Sequence, residues 1–241
     1  MSCAGARAGA LPLSDADLAF ELSGGARVLF TDRSHGNLSS VGGDGAEHGA
    51  AARERLRARI GARALVRGYQ VHGARVRRVR AEPPAEEHGA GVEDSDGQAT
   101  ALAGVATMVL AADCLPVALC DGGAVAMLHA GWRGLAAGVL EEGVRALGEL
   151  GGARGGLVAI VGPGAGRCCY EVGPEVDAAL GRPTAQAANI DLRAIAHERL
   201  ATAGVADVRD VAACTICDER FFSHRREGAR AGRQAGLAWL S

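Results

Sequence analysis

Three short segments carry residues suited to metal or nucleophile chemistry: "QVHG" with His72, "AADCLP" with Cys114, and "MLHAGW" with His129. Each polar side chain follows an apolar run that should be buried, and each is followed by a turn or a helix start. Two imidazoles and a thiolate suit a borderline-soft ion such as zinc. Three protein ligands leave a fourth position open, the pattern of a catalytic rather than a structural site. Such an ion would either turn bound water into a nucleophile near neutral pH or polarise a substrate. A single buried His or Cys is more often packing than ligand. The three therefore gain weight only as a set, and spacing alone does not bring them together.

Other segments carry weaker signals. "CTIC", Cys214 to Cys217, is a C-x-x-C, but no second one exists in the chain to complete a structural zinc site, so no metal is assigned to it. "GPGAGR" at 162–167 has Gly162 and Gly164 of a dinucleotide fingerprint, yet Arg167 stands where the third glycine belongs. A turn exposing backbone N–H groups is the expectation there. "SHRREG" at 223–228 offers Arg225 and Arg226, which could clamp a phosphate. Asp96, Asp113 and Glu171 lie near motif turns and could act as general acid or base.

The elements that must position these residues can be read from periodicity. "ARVLF" reads as a strand before a polar turn, and "AARERLRARIG" as a short helix closed by Gly61. "ALVRGYQVHGARVRRVR" reads as two strands around His72 and Gly73. Residues 81–98 form an acidic, Pro- and Gly-rich loop. "TMVLAADCLPVALCDGGAVAMLHA" reads as three apolar strands, the last two joined by "DGG". Residues 132–150 read as one long helix. "GLVAIVG" is a strand, helical patterns return near 174–180 and 191–203, "VADVRDVAACT" is a strand into a turn, and the tail ends in a strand. Strands and helices mix without a strict βαβ repeat. This predicts one α+β domain, with mixed sheets flanked by helices, over 21–241, behind a loose lead-in at 1–20.

Composition narrows the function. The 241 residues are 48% hydrophobic and 22% charged, enough to bury a sizeable core. The formal net charge of −2 argues against a nucleic-acid or anionic-membrane partner. All 26 basic residues are arginine, which excludes P-loop nucleotidases, protein kinases and pyridoxal enzymes, each of which needs a lysine. The seven cysteines are odd in number and two are adjacent, so they do not read as a secreted disulfide framework. No signal peptide or membrane-spanning run is visible, and reduced thiols in the cytoplasm are expected.

Taken in order, "GNLSS", "QVHG", "SDGQAT", "ADCLPV", "HAGWRGL", "GPGAGRCCYEVG", "CT" at 214–215, "FFSHRREG" and "GR" at 232–233 resemble the laccase-domain proteins over most of the chain. These were once called multicopper polyphenol oxidases and are now described as purine nucleoside phosphorylases with adenosine deaminase activity. The resemblance implies zinc, with copper also reported, at His72, Cys114 and His129. It implies purine nucleoside and phosphate as partners, with adenosine, inosine and methylthioadenosine as substrates, and a cytoplasmic monomer or homodimer. Asn37, Arg53 and Asp96 match its remaining site motifs and join Cys114 as candidate catalytic residues, with phosphate held by Arg53, Arg225 and Arg226. Ala52 and the "GGDG" segment depart from the family pattern. Alternatives are a hydrolase, cysteine- or metal-dependent, that edits cell-wall peptide precursors, a copper laccase, and a metal-stabilised scaffold. A four-copper oxidase needs many more histidines than the seven present.

Overall fold

Strand β2 (Ala26–Phe30) sends Ala26, Val28 and Phe30 into one apolar layer and Leu29 into another. The period-2 alternation of a strand thus feeds two cores from one run of apolar residues. The computed structural model describes residues 18–82, 93–151, 156–182 and 186–241. Most of the expected lead-in and the centre of the acidic loop lie outside them.

One sheet has five strands in the order β1 (Leu18–Glu21), β2, β13 (Gln234–Leu240), β6 (Val105–Ala111) and β3 (Ala64–Val66). The other has six: β12 (Asp207–Asp210), β9 (Val158–Val161), β7 (Leu115–Cys120), β8 (Val125–Ala130), β5 (Gly97–Thr100) and β4 (Val76–Val79). A small ribbon pairs β10 (Glu171–Val172) with β11 (Ala188–Asn189). Pairing is parallel for β3–β6, β4–β5 and β12–β9 and antiparallel elsewhere. The expected single α+β domain with mixed sheets is therefore observed. Its first strand begins at Leu18, inside the segment read as lead-in.

The two sheets pack face to face. Val28, Phe30, Val109, Ala118, Met127, Ile160 and Ala238 fill the space between them. Glycines let the layers approach: a Cβ on Gly236 would lie 2.7 Å from Pro116 Cβ, and one on Gly162 would lie 2.5 Å from the Phe30 ring. The outer face of the five-stranded sheet is covered by α1 (Gly49–Arg59) through Ala52 and Leu56. The outer face of the six-stranded sheet carries α2 (Trp132–Ala137), α3 (Val139–Glu149), α4 (Pro174–Ala179) and α5 (Leu192–Thr202). A one-residue slip in β7 or β8 would exchange these two cores, so the register is strongly specified.

The long helix expected over 132–150 is two. Gly138, at φ +89°, closes α2 and starts α3 in a new direction. The apolar spacing runs on across it, so periodicity alone does not reveal the break. A left-handed residue there costs glycine little.

Candidate active site

The strand ends place the three proposed ligands at one mouth of the inter-sheet layer. His129 lies in β8, whose odd positions Val125 and Met127 face the other sheet. Cys114 precedes β7 on the turn from β6, and His72 lies on the loop between β3 and β4. One ligand atom from each lies within 4.8 Å of the others. The two imidazole rings meet edge to face, with centroids 4.9 Å apart.

Asp96 organises this trio. Its Oδ1 accepts from His129 Nδ1 at 2.8 Å, leaving Nε2 of that ring to face Cys114. The same carboxylate accepts from the backbone N–H of Val71, His72 and Gly73 at 3.1, 2.9 and 2.7 Å. One fully buried side chain thus fixes a ring and the loop carrying the second ring. A carboxylate behind a ligating histidine is a recurrent device for orienting it. Burial opposes ionisation of Asp96, but the hydrogen bonds from His129, Gly73 and Val71 more than offset it and hold the carboxyl below its usual range. Burial likewise opposes the Cys114 thiolate, yet the His129 and His72 imidazoles bring that thiol down to about 6. Against its burial, the same pairing raises the His129 imidazole to about 9, so metal binding must release the proton that this imidazole holds against the Cys114 thiolate.

Local backbone supports the same reading. Among the described residues the non-glycine residues at positive φ are His72 (61°) and Asp113 (92°), one a candidate ligand and one next to a ligand. Each costs on the order of 1 kcal/mol or more, held in place by the surroundings. For Asp113 these are explicit: Oδ1 accepts from Thr215 Oγ1 and Oδ2 from the Arg225 amide, both at 2.7 Å. Gly131 serves by size rather than by backbone freedom, since its φ is an ordinary −74°. A Cβ there would lie 2.8 Å from Cys114 Sγ and 3.3 Å from His72 Cδ2.

The trio opens into a cleft of about 1080 Å³. Its walls carry Arg67, Arg133, Arg225 and Arg233 and the rings of Tyr69, Trp132 and Tyr170. Arg133 stacks over Trp132 at 4.2 Å and Arg225 over Tyr170 at 4.7 Å. Tyr69 is 59% exposed at the rim, an apolar face turned to solvent.

Four of the candidate residues stand behind the cleft-lining side chains, one of them, Asp96, directly on His129. Asn37, Arg53, Asp96 and Arg226 do not line the cleft. Arg53, 1% exposed, donates to the Leu38 carbonyl at 2.7 Å and to Ser40 Oγ at 3.1 Å, fastening α1 to the cleft wall. Asn37 Oδ1 accepts from the amides of Ser39 and Arg233, both at 2.9 Å. Arg226 gives its guanidinium to the carbonyls of Thr215, Ile216 and Phe221 and to Glu227. All four have hydrogen-bond partners within the protein. Arg225 does line the cleft. Arg67, Arg233, Tyr69 and Tyr170 were not singled out by sequence. A usable signal was present: the chain has only two tyrosines and two tryptophans, and both tyrosines with one tryptophan sit here.

Comparison with known proteins agrees with this architecture. Residues 24–241 match the family described as multi-copper polyphenol oxidoreductase laccase. A Xylella fastidiosa protein named purine nucleoside phosphorylase is 40% identical over 223 residues, covering 85% of this chain and 84% of that one. A Corynebacterium glutamicum protein of the same name is 35% identical, covering 89% and 94%. Among solved structures, YlmD from Geobacillus stearothermophilus superposes with a TM-score of 0.83 at 26% identity, covering 96% and 99%. The chain belongs to the laccase-like multicopper polyphenol oxidoreductase family, whose relatives here carry the name purine nucleoside phosphorylase. No helix among the described residues is long and apolar enough to cross a membrane.

Proposed function

We propose that this chain is a metal-dependent purine nucleoside phosphorylase. The observation that carries the reading is the cleft itself: a His72–Cys114–His129 floor beneath arginine and aromatic walls. Arginine forks suit a dianionic phosphate, and the exposed Tyr69 ring with the half-buried Trp132 suits a purine ring. In the reaction a phosphate oxygen attacks C1′ of the ribose. The C1′–N bond breaks, its electrons pass to the purine, and a proton from solvent completes the free base beside ribose 1-phosphate.

Each group has a task. Arg225, rigid on Tyr170 and anchored to the Glu171 carbonyl at 2.9 Å, and Arg233, held by the carbonyls of Ala231 and Gly232, would bind and aim the phosphate. Tyr69 and Trp132 would stack the base and exclude water. His72, Cys114 and His129 would hold zinc, the ion that two imidazoles and a thiolate fit in a site with an open position. When bound, zinc supplies Lewis-acid polarisation at that position.

Adenosine deamination is the subsidiary activity of this reading. It needs a carboxylate beside the metal to shuttle protons. Among the described residues the carboxylate lining the cleft is Asp113, and both its oxygens already accept hydrogen bonds. Phosphorolysis asks for no such group, so the geometry favours it.

The test is product analysis with inosine and adenosine, with and without inorganic phosphate. Formation of ribose 1-phosphate in step with free base supports the assignment. Free ribose in place of ribose 1-phosphate, at a rate indifferent to phosphate, would replace it with a hydrolase.

A further inference from the structure

The motif "CTIC" has a partner that the sequence does not announce. Cys168 and Cys169, on the turn after Gly162–Arg167, fold against Cys214 and Cys217, so that all four sulfur atoms lie within 4.8 Å of one another. Cys169 Sγ stands 3.0 Å and Cys168 Sγ 3.4 Å from Cys217 Sγ. A disulfide needs about 2.0 Å between sulfurs. Four sulfurs bound about 2.3 Å from a tetrahedral zinc stand about 3.8 Å apart, so the Cys168–Cys217 and Cys169–Cys217 pairs need open by less than an ångström to admit the ion.

We propose that Cys168, Cys169, Cys214 and Cys217 form a second metal site, which takes zinc as a closed tetrathiolate. The site does not rest on the phosphorylase reading and shares no ligand with the cleft. Its surroundings suit an anionic cluster. The Gly166 amide donates to Cys214 Sγ at 3.2 Å, and the amides of Ile216 and Cys217 point at the same sulfur. Gly166 also makes the room: a Cβ there would lie 3.0 Å from Cys214 Cβ and 3.2 Å from Cys168 Sγ. Cys168 and Cys217 are exposed, which gives an ion its way in.

Two arginines brace the turn from opposite ends. Arg193 donates to the carbonyls of Val211 and Ala213 at 3.1 and 3.2 Å, just before Cys214. Arg226 donates to those of Thr215 and Ile216 at 2.7 and 3.0 Å, inside the C-x-x-C itself. The turn then reaches the cleft: Thr215 Oγ1 holds Asp113, the residue before Cys114. Metal at the four cysteines would thus stiffen the backbone that aims the catalytic sulfur. Four sulfurs and no open position describe a structural ion, and the zinc would not take part in the reaction.

The test separates the two sites. A His72→Ala/Cys114→Ala protein, purified with reductant and loaded with zinc, should keep one tightly held zinc per chain. Its X-ray absorption spectrum should show four sulfur neighbours at about 2.3 Å. Adding Cys214→Ser and Cys217→Ser should remove that zinc. The absorption measurement is made on protein with all four cysteines intact, so misfolding of the serine variants leaves it standing. A zinc-free His72→Ala/Cys114→Ala protein with all four thiols open to alkylation would overturn the proposal. So would nitrogen or oxygen neighbours in the spectrum.

Discussion

The cleft trio and the four-cysteine cluster lie on either side of Asp113 and are built by opposite means. The trio draws its residues from strand ends and a loop, and a buried carboxylate stands behind one imidazole. It presents three donors and faces a wide cleft. The cluster draws on two turns and is hydrogen-bonded by backbone amides. It presents four donors of one kind, two of them exposed at the surface. Openness and mixed donors suit chemistry, and closure with uniform sulfur suits bracing. The contrast teaches that the same residue type is assigned a role by what surrounds it and not by its own reactivity.

Removing the orienting carboxylate should have the largest effect on one side only. Asp96→Ala frees the His129 ring and the His72 loop together, so zinc affinity of the cleft should fall about 10- to 100-fold. Metal titration in the presence of a competing chelator measures this, and the four-cysteine cluster should hold its zinc unchanged. The next largest contrast sets two neighbouring arginines against each other. Arg225→Ala should raise the KM for phosphate about tenfold, the loss of roughly one charge-assisted hydrogen bond. Arg226→Ala should leave that KM alone and instead lower Tm, because its guanidinium holds the C-x-x-C turn. Steady-state kinetics and thermal melts on the two variants decide it, and equal KM shifts would erase the distinction. The smallest effect belongs to Gly131→Ala, whose new methyl presses on Cys114 Sγ. We expect a crowding cost of about 1 kcal/mol, seen as a several-fold weaker cleft metal in a normally folded protein.

The sequence exposed parts of this plan unevenly. β6, β7 and β8 were readable because fully buried strands appear as apolar runs, punctuated by Asp121 and its two glycines. The break at Gly138 was not, since helical spacing continues through it. His72, Cys114 and His129 were legible by chemical type, each at the end of an apolar run. What Asp96 does was not legible, because its partners stand 23 to 33 residues away. Arg53 and Arg226 read as substrate ligands since a charged side chain is ordinarily solvated, and only packing shows that carbonyls take their donors. The pairing of Cys168 and Cys169 with Cys217 spans 48 to 49 residues and depends on β12 lying parallel to β9. No local pattern encodes such a contact.

The most direct test of the central claim measures phosphate-dependent base release from inosine and adenosine by wild type and Cys114→Ala, with zinc determined on both samples. The account predicts that the variant loses one zinc and its base release together, while the wild type releases base only when phosphate is supplied. A Cys114→Ala protein that has lost that zinc yet turns over at the wild-type rate would contradict it.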